Sequence, residues 1–199
     1  MAITHKSQTE KQSKDYWRTG PELVNDAQKL LKIRWVSIDV CAKDRNTSIW
    51  LSTAYIDENI DALSPTVNWY EHHIVKNKFL YRRDLPMFCN PPFSKKCQFF
   101  SEAIEQSQCY HQCILMVLPY PPSTKQWHEN VHGQDCIIYV PDGRYQYLLL
   151  DGTKPVNSCN FETCLISIVL FKCGNVMVND KRGQEKDIAN TRKPPFSGL

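Results

Sequence analysis

Asn90-Pro91-Pro92-Phe93 is the stretch of this sequence whose residue types answer a definite chemical problem. It follows a short apolar run at 86–89 and precedes a segment of helical period. In an α/β sheet that position lies beyond the carboxyl end of a strand, where such sheets bind ligands. An aromatic amine such as N6 of adenine is a poor nucleophile, because its lone pair is delocalised into the ring. The Asn90 amide oxygen and a main-chain carbonyl beside a proline can together accept both N–H bonds. That draws the nitrogen toward tetrahedral geometry and frees the lone pair to attack an electrophilic methyl. Neither acceptor has to be a strong base, since the cationic product sheds its proton readily. The paired prolines fix φ along the loop and keep the carbonyl aimed, which is electrostatic preorganisation. Phe93 offers an apolar face to a base extruded from the duplex, an extrusion that costs roughly a few kcal/mol. The plain alternative is a loop that ends a strand and opens a helix.

The flanking elements decide whether that loop borders a site. Residues 35–40 and 113–118 are apolar runs, the first reaching Asp39 and the second stopped by Pro119, and both read as buried strands. Pro21 opens a helical stretch with Leu23, Val24, Ala27, Leu30, Leu31 and Arg34 on one side. Proline loses nothing at a first helical position, where its N–H would be unpaired anyway. Residues 94–108 form a second helix with Ser94 as cap and Phe99, Phe100, Ala103 and Ile104 facing a core. Residues 123–131 read as a short helix, and 46–55 fit helix or strand equally. Residues 135–140, 145–150 and 163–172 are strand candidates, the first two joined as a hairpin across Asp142-Gly143. The expected fold is one α/β domain at 15–174, its sheet parallel at the centre with antiparallel edge strands. A disordered tail is expected at 1–14 and a frayed one at 175–199.

A chain of 199 residues with 42% hydrophobic and 23% charged content suits a single soluble domain with one core. No apolar run approaches the roughly 20 residues of a membrane span, so no membrane partner is expected. The first 14 residues lack a secretory apolar region, which points to the cytoplasm. Nine scattered cysteines then read as thiols in a reducing compartment. A net charge of +3 permits a nucleic-acid partner without requiring one. Seven glycines include no Gly-x-Gly-x-x-Gly and no phosphate loop, which argues against dinucleotide enzymes and nucleotide hydrolases. Cys109-x-His111-x-Cys113 lacks the two-residue ligand spacing usual for zinc, and no metal is expected.

From residue 15 to 168 the order of short motifs resembles the phage-type DNA N-6-adenine-methyltransferase (Dam) family. Trp17-Arg18-Thr19 followed by Pro21 resembles its opening Trp-x-Thr-Pro segment, and Asp39-Val40-Cys41-Ala42 its Asp-x-Cys-Ala box. Leu63 and Trp69, the tetrad, Leu118-Pro119, Trp127 and Gly143-Arg144 follow in the family's order. The resemblance implies a Rossmann-like S-adenosylmethionine-dependent methyltransferase acting on N6 of adenine in DNA, with Asn90, Pro91, Pro92 and Phe93 catalytic. It implies a cofactor site of Trp17, Thr19, Asp39, Cys41 and Ala42, and, for a phage protein, the host cytoplasm. Asp39 can pair with the cofactor's α-ammonium group, Thr19 can bond its carboxylate, and Trp17 can wall the pocket. The opposing readings are a core aromatic for Trp17, a helix cap for Thr19 and a turn cap for Asp39. Gly20 departs from the family pattern, separating Thr19 from Pro21 where the two are usually adjacent.

Three chemically or functionally distinct alternatives stand beside this reading. Cytosine-N4 methylation needs the same acceptors. Glutamine methylation does too, though those enzymes usually carry a glycine-rich loop where this chain has Cys41-Ala42. A DNA-binding phage protein without activity would have no use for the tetrad. Residues 70–85 form a lengthened segment in which Lys76, Lys78, Arg82 and Arg83 alternate with Phe79 and Tyr81, suited to phosphates and bases. Arg82 and Arg83, with Lys95, Lys96 and Arg144, are the expected DNA-facing cations; a solvated loop is the alternative. Replacing Arg82 and Arg83 by Ala should flatten the salt dependence of DNA binding, and an unchanged slope removes that segment from the interface.

Overall fold

Strands that are apolar on both faces have to be covered on both, and that condition shapes this sheet. The computed structural model describes residues 15–43, 54–71, 85–155 and 161–168, with the backbone of 175–180. Its central strands are β3 (Met87–Cys89) and β4 (Ile114–Pro119). Met87, Cys89, Ile114, Met116 and Leu118 enter one core together with Phe99, Phe100 and Ala103 of α2 (Lys96–Tyr110). Phe88, Leu115 and Val117, one residue out of phase, enter a second core with Leu23, Val24 and Ala27 of α1 (Pro21–Leu31). Helices thus cover both faces, as an α/β fold requires.

The remaining strands are β1 (Ile38–Asp39), β2 (Ala54–Tyr55), β5 (Cys136–Pro141), β6 (Thr163–Ile168) and β7 (Asn175–Asp180). All seven form one sheet in the order β2-β1-β3-β4-β6-β5-β7. Strands β2, β1, β3 and β4 are mutually parallel. β6 runs antiparallel to both β4 and β5 and so lies inside the sheet, between them. Every residue of β6 is buried, which demands neighbours on both edges and cover on both faces.

Three local expectations are corrected. The frayed tail from residue 175 begins instead with β7, parallel to β5 over six paired positions. Its apolar centre, Val176-Met177-Val178, is short, and polar flanks mask it in the sequence. Residues 145–150 do not form a hairpin with β5. Tyr145 and Tyr147 are buried in the second core, and their hydroxyls donate to Asp26 (2.7 Å) and Thr163 (3.2 Å). The segment pairs instead with the N-terminal stretch: Arg18 N–H donates to the Leu148 carbonyl at 2.8 Å, and Leu148 N–H returns the bond at 3.0 Å. Finally, Ser94 does not cap α2. A 3-10 turn, Phe93–Lys95, precedes that helix, and Lys95 stands at its N-cap without a side-chain bond. The short α3 (Lys125–Asn130) is capped by Thr124, whose hydroxyl accepts from Trp127 N–H at 3.3 Å.

Gly20 is the N-cap of α1 and lies beneath Gln146; a Cβ at this glycine would stand 2.1 Å from the Gln146 carbonyl oxygen. Backbone cannot yield cheaply to such a clash, so Gly20→Ala should lower stability by roughly 1–3 kcal/mol, the usual range for overpacking. The measurement is the urea midpoint at constant m, and an unmoved midpoint would contradict the close approach.

Candidate active site

β1 has β2 on one edge and β3 on the other, so the connections leaving these parallel strands diverge and open a crevice at their carboxyl ends. Asp39 ends β1, and Asn90 follows the last residue of β3. Pairing of Asp39 with Phe88, and the 2.8 Å bond from Val40 N–H to the Phe88 carbonyl, set how far each strand runs into the crevice. A cavity of about 600 Å³ occupies it.

Trp17 and Thr19 of the N-terminal stretch line this cavity, as do Asp39 at the end of β1 and Cys41 and Ala42 from the turn after it. Asn90 and Pro92 contribute from the tetrad, and Lys95 from the turn that follows. The other expected site residues lie elsewhere. Pro91 is buried, and Phe93 is half-buried in an aromatic nest outside the lining. Phe93 meets Tyr147 and Phe161 nearly perpendicularly, with centroids 5.7 and 5.0 Å away. Lys96 lies in a separate small groove beside Trp127. Arg144 is exposed beyond the end of β5, away from the cavity lining. Arg82 and Arg83 lie outside the described residues.

Asn90 Nδ2 donates to Thr19 Oγ1 at 2.9 Å, which leaves Oδ1 as the acceptor end of the amide. The loop is held beyond it by Lys95 N–H, which donates to the Pro92 carbonyl at 2.9 Å. Asp15 Oδ1 accepts from Ser94 N–H at 3.0 Å. The N-terminal stretch therefore grips the tetrad at both ends. Asp39 is buried in the cavity wall, and its Oδ1 also accepts a long bond, 3.4 Å, from Cys41 N–H, so lining and turn-capping coexist. Trp17 likewise serves both readings. It stacks on Phe161 at 6.4 Å and walls the cavity, while its Nε1 is buried without a hydrogen-bond partner among the described residues. An unpaired buried indole N–H is costly.

Sequence reasoning missed further acidic residues of the lining. Asp57 and Glu58 follow β2 after Ile56, and Asp61 joins them in the lining. With residues 46–55 unassigned, the end of the second strand could not be located. An acidic residue there suits ribose hydroxyls. The cavity thus fits a nucleoside-bearing cofactor in volume and donor set: a carboxylate beyond β1, carboxylates beyond β2, an aromatic wall and an orphan N–H.

A switch-point crevice lined by carboxylates and by Asn90 and Pro92 of an Asn-Pro-Pro loop is that of an α/β enzyme. The family model described as DNA N-6-adenine-methyltransferase (Dam) matches residues 6–186, and the chain belongs to that family. It is also 26% identical over 143 residues to a DNA N-6-adenine-methyltransferase of Haemophilus phage HP1 (strain HP1c1), a match covering 72% of each chain. The protein is accordingly a DNA adenine methyltransferase that uses a methyl donor, and the cytosine, glutamine and inactive readings are not favoured. No helix among the described residues is long and apolar enough to cross a membrane.

Cys41 and Cys89 adjoin the two key positions, with their sulfurs 3.6 Å apart. Burial, then the neighbouring Cys89 thiol and the Asp39 charge, push the Cys41 thiol well above its ordinary range. Because only the thiolate is nucleophilic, Cys41 stays unreactive near neutrality although it faces the cavity. At pH 8 iodoacetamide should modify exposed Cys109 well before Cys41, as read by peptide mass mapping. Preferential alkylation of Cys41 would contradict this environment.

Proposed function

We propose that this protein transfers the methyl group of S-adenosylmethionine to N6 of adenine in DNA, with Asn90 Oδ1 as the side-chain acceptor of the amine hydrogen. The observation that supports this most is the Asn90 amide on the cavity wall, its nitrogen committed to Thr19 and its oxygen left toward substrate.

The cofactor, when bound, supplies a methyl group made electrophilic by a sulfonium. Asp39 would hold its α-ammonium group, Asp57 its ribose hydroxyls, and Trp17 one wall of its pocket, with Cys41 and Ala42 leaving room beside the turn. Across the crevice, Asn90 Oδ1 would accept one N6–H bond and a main-chain carbonyl of the tetrad the other, with the Pro92 carbonyl also held by Lys95 N–H. Holding both hydrogens localises the nitrogen lone pair, and the acceptors keep the departing proton until water takes it. Fixed dipoles in a partly dehydrated cavity do this without reorganising during the reaction. Phe93, braced by Tyr147 and Phe161, would border the extruded base. Lys95 and Lys43, which line the cavity, the latter 5.8 Å from the Tyr16 ring, would meet DNA phosphates, and Lys96, Arg144, Arg82 and Arg83 would extend that contact. The cytoplasm, where DNA and cofactor meet, is the compartment this reading requires.

Asn90→Ala should cut kcat by roughly 10³-fold or more while leaving cofactor affinity nearly intact, because the lost contact is made mainly in the transition state. Asp39→Ala should do the reverse, raising the cofactor's Kd by about tenfold or more, in line with losing a charged hydrogen bond. Nucleoside mass spectrometry after a timed reaction and calorimetry with S-adenosylhomocysteine separate the two. Normal affinity in Asp39→Ala would remove Asp39 from the site, and full turnover in Asn90→Ala would end the proposal.

A further inference from the structure

We infer that Thr19 is a positioning residue for the catalytic amide: its hydroxyl holds Asn90 so that Oδ1, and not Nδ2, meets the substrate amine. This rests on the methyl-transfer reading of Asn90. An asparagine side chain carries an acceptor at one end and donors at the other, and a half-turn of the amide exchanges them. Turned the wrong way, Asn90 would present N–H to an amine whose own N–H it must accept. Catalysis would fail with every residue still in place.

The 2.9 Å bond from Nδ2 to Thr19 Oγ1 selects the productive orientation. The hydroxyl is not spent on the adjoining helix. The N-cap of α1 is Gly20, and no side chain caps that end. Had threonine directly preceded the proline, it would have been the capping residue; the added glycine takes that position and leaves the hydroxyl for Asn90. Thr19 is itself 9% exposed and fixed on both sides. Arg18 before it is locked to Leu148 by two backbone bonds, and Gly20 after it is pressed under the Gln146 carbonyl. Asp15 secures the far end of the same loop through Ser94.

A hydroxyl can accept or donate, so its own proton has to be directed elsewhere if it is only to accept from Asn90. Thr19 lines the cofactor cavity, and no acceptor for that proton occurs among the described residues. An acceptor oxygen of the bound cofactor would take it. Occupancy of the cavity would then lock the hydroxyl as an acceptor toward Asn90 and set the amide before the base arrives. The order of events becomes part of the geometry.

The test compares Thr19→Val, Thr19→Ala and Thr19→Ser in the full chain, each checked for an unchanged thermal midpoint. Valine keeps the shape and removes the hydroxyl; serine restores it; alanine serves if valine does not fold. Expected is a fall of roughly ten- to a hundredfold in kcat for valine or alanine, the scale of a lost alignment, with the KM for DNA unmoved and serine near wild type. In an Asn90→Ala background, Thr19→Val should remove nothing further. Two readouts do not involve turnover. The Asn90 side-chain nitrogen resonance, identified by its loss in Asn90→Ala, should move in Thr19→Val and hold in Thr19→Ser. S-adenosylhomocysteine should bind the valine variant several-fold more weakly. Wild-type kcat in the valine variant, an unmoved Asn90 resonance, or full additivity with Asn90→Ala would overturn the assignment. If the wild-type protein forms no N6-methyladenine, the reading of the reaction fails; the resonance still decides whether Thr19 orients Asn90.

Discussion

The N-terminal stretch lies across the mouth of a crevice built by strands from elsewhere in the chain, and the rest of the site follows from that placement. Two backbone bonds between Arg18 and Leu148 set its position along the 145–150 segment. From there Thr19 reaches Asn90, 71 positions away in sequence, and Asp15 reaches Ser94. Neither partner could be held so by its own element. The tetrad loop has only the two prolines and the 3-10 turn to stiffen it, and an amide at its tip would otherwise be loose about χ2. Long-range docking supplies the constraint that local propensity lacks.

Both signs of charge line the same opening. Asp39, Asp57, Glu58 and Asp61 line it together with Lys43 and Lys95. Carboxylates suit a cationic cofactor with an ammonium and a sulfonium; lysines suit phosphates. The Cys41 thiol beside Asp39 is pushed up by burial and stays uncharged near neutrality, with the Cys89 sulfur 3.6 Å away.

Much of this was legible in the sequence, and what was not has identifiable causes. β1, β3 and β4 announced themselves as short apolar runs ended by turn residues, because central parallel strands are buried on both faces. The tetrad was legible for the same reason, since its position depends only on the strand before it and the helix after it. β2 is two residues long within a mixed segment, so the acidic residues it positions stayed hidden. The Tyr145–Tyr147 alternation has the period of a strand, yet period says nothing of the partner, and the partner proved to be Arg18. Thr19 shows the limit most clearly. Its type suggested a cap or a ligand contact, and only the tertiary pairing reveals the amide beside it. Phe93 was expected as an apolar face for the base, and that it leans on two aromatics depends on the proximity of residues 147 and 161, which the sequence does not show.

A structure of the protein with S-adenosylhomocysteine and a DNA duplex containing its target adenine addresses the central claim most directly. The account expects an extruded adenine with N6 about 3 Å from Asn90 Oδ1, the length of an N–H···O bond, while Nδ2 remains on Thr19. An adenine bound with N6 directed away from Asn90, or an Asn90 amide turned so that its nitrogen faces the base, would contradict it.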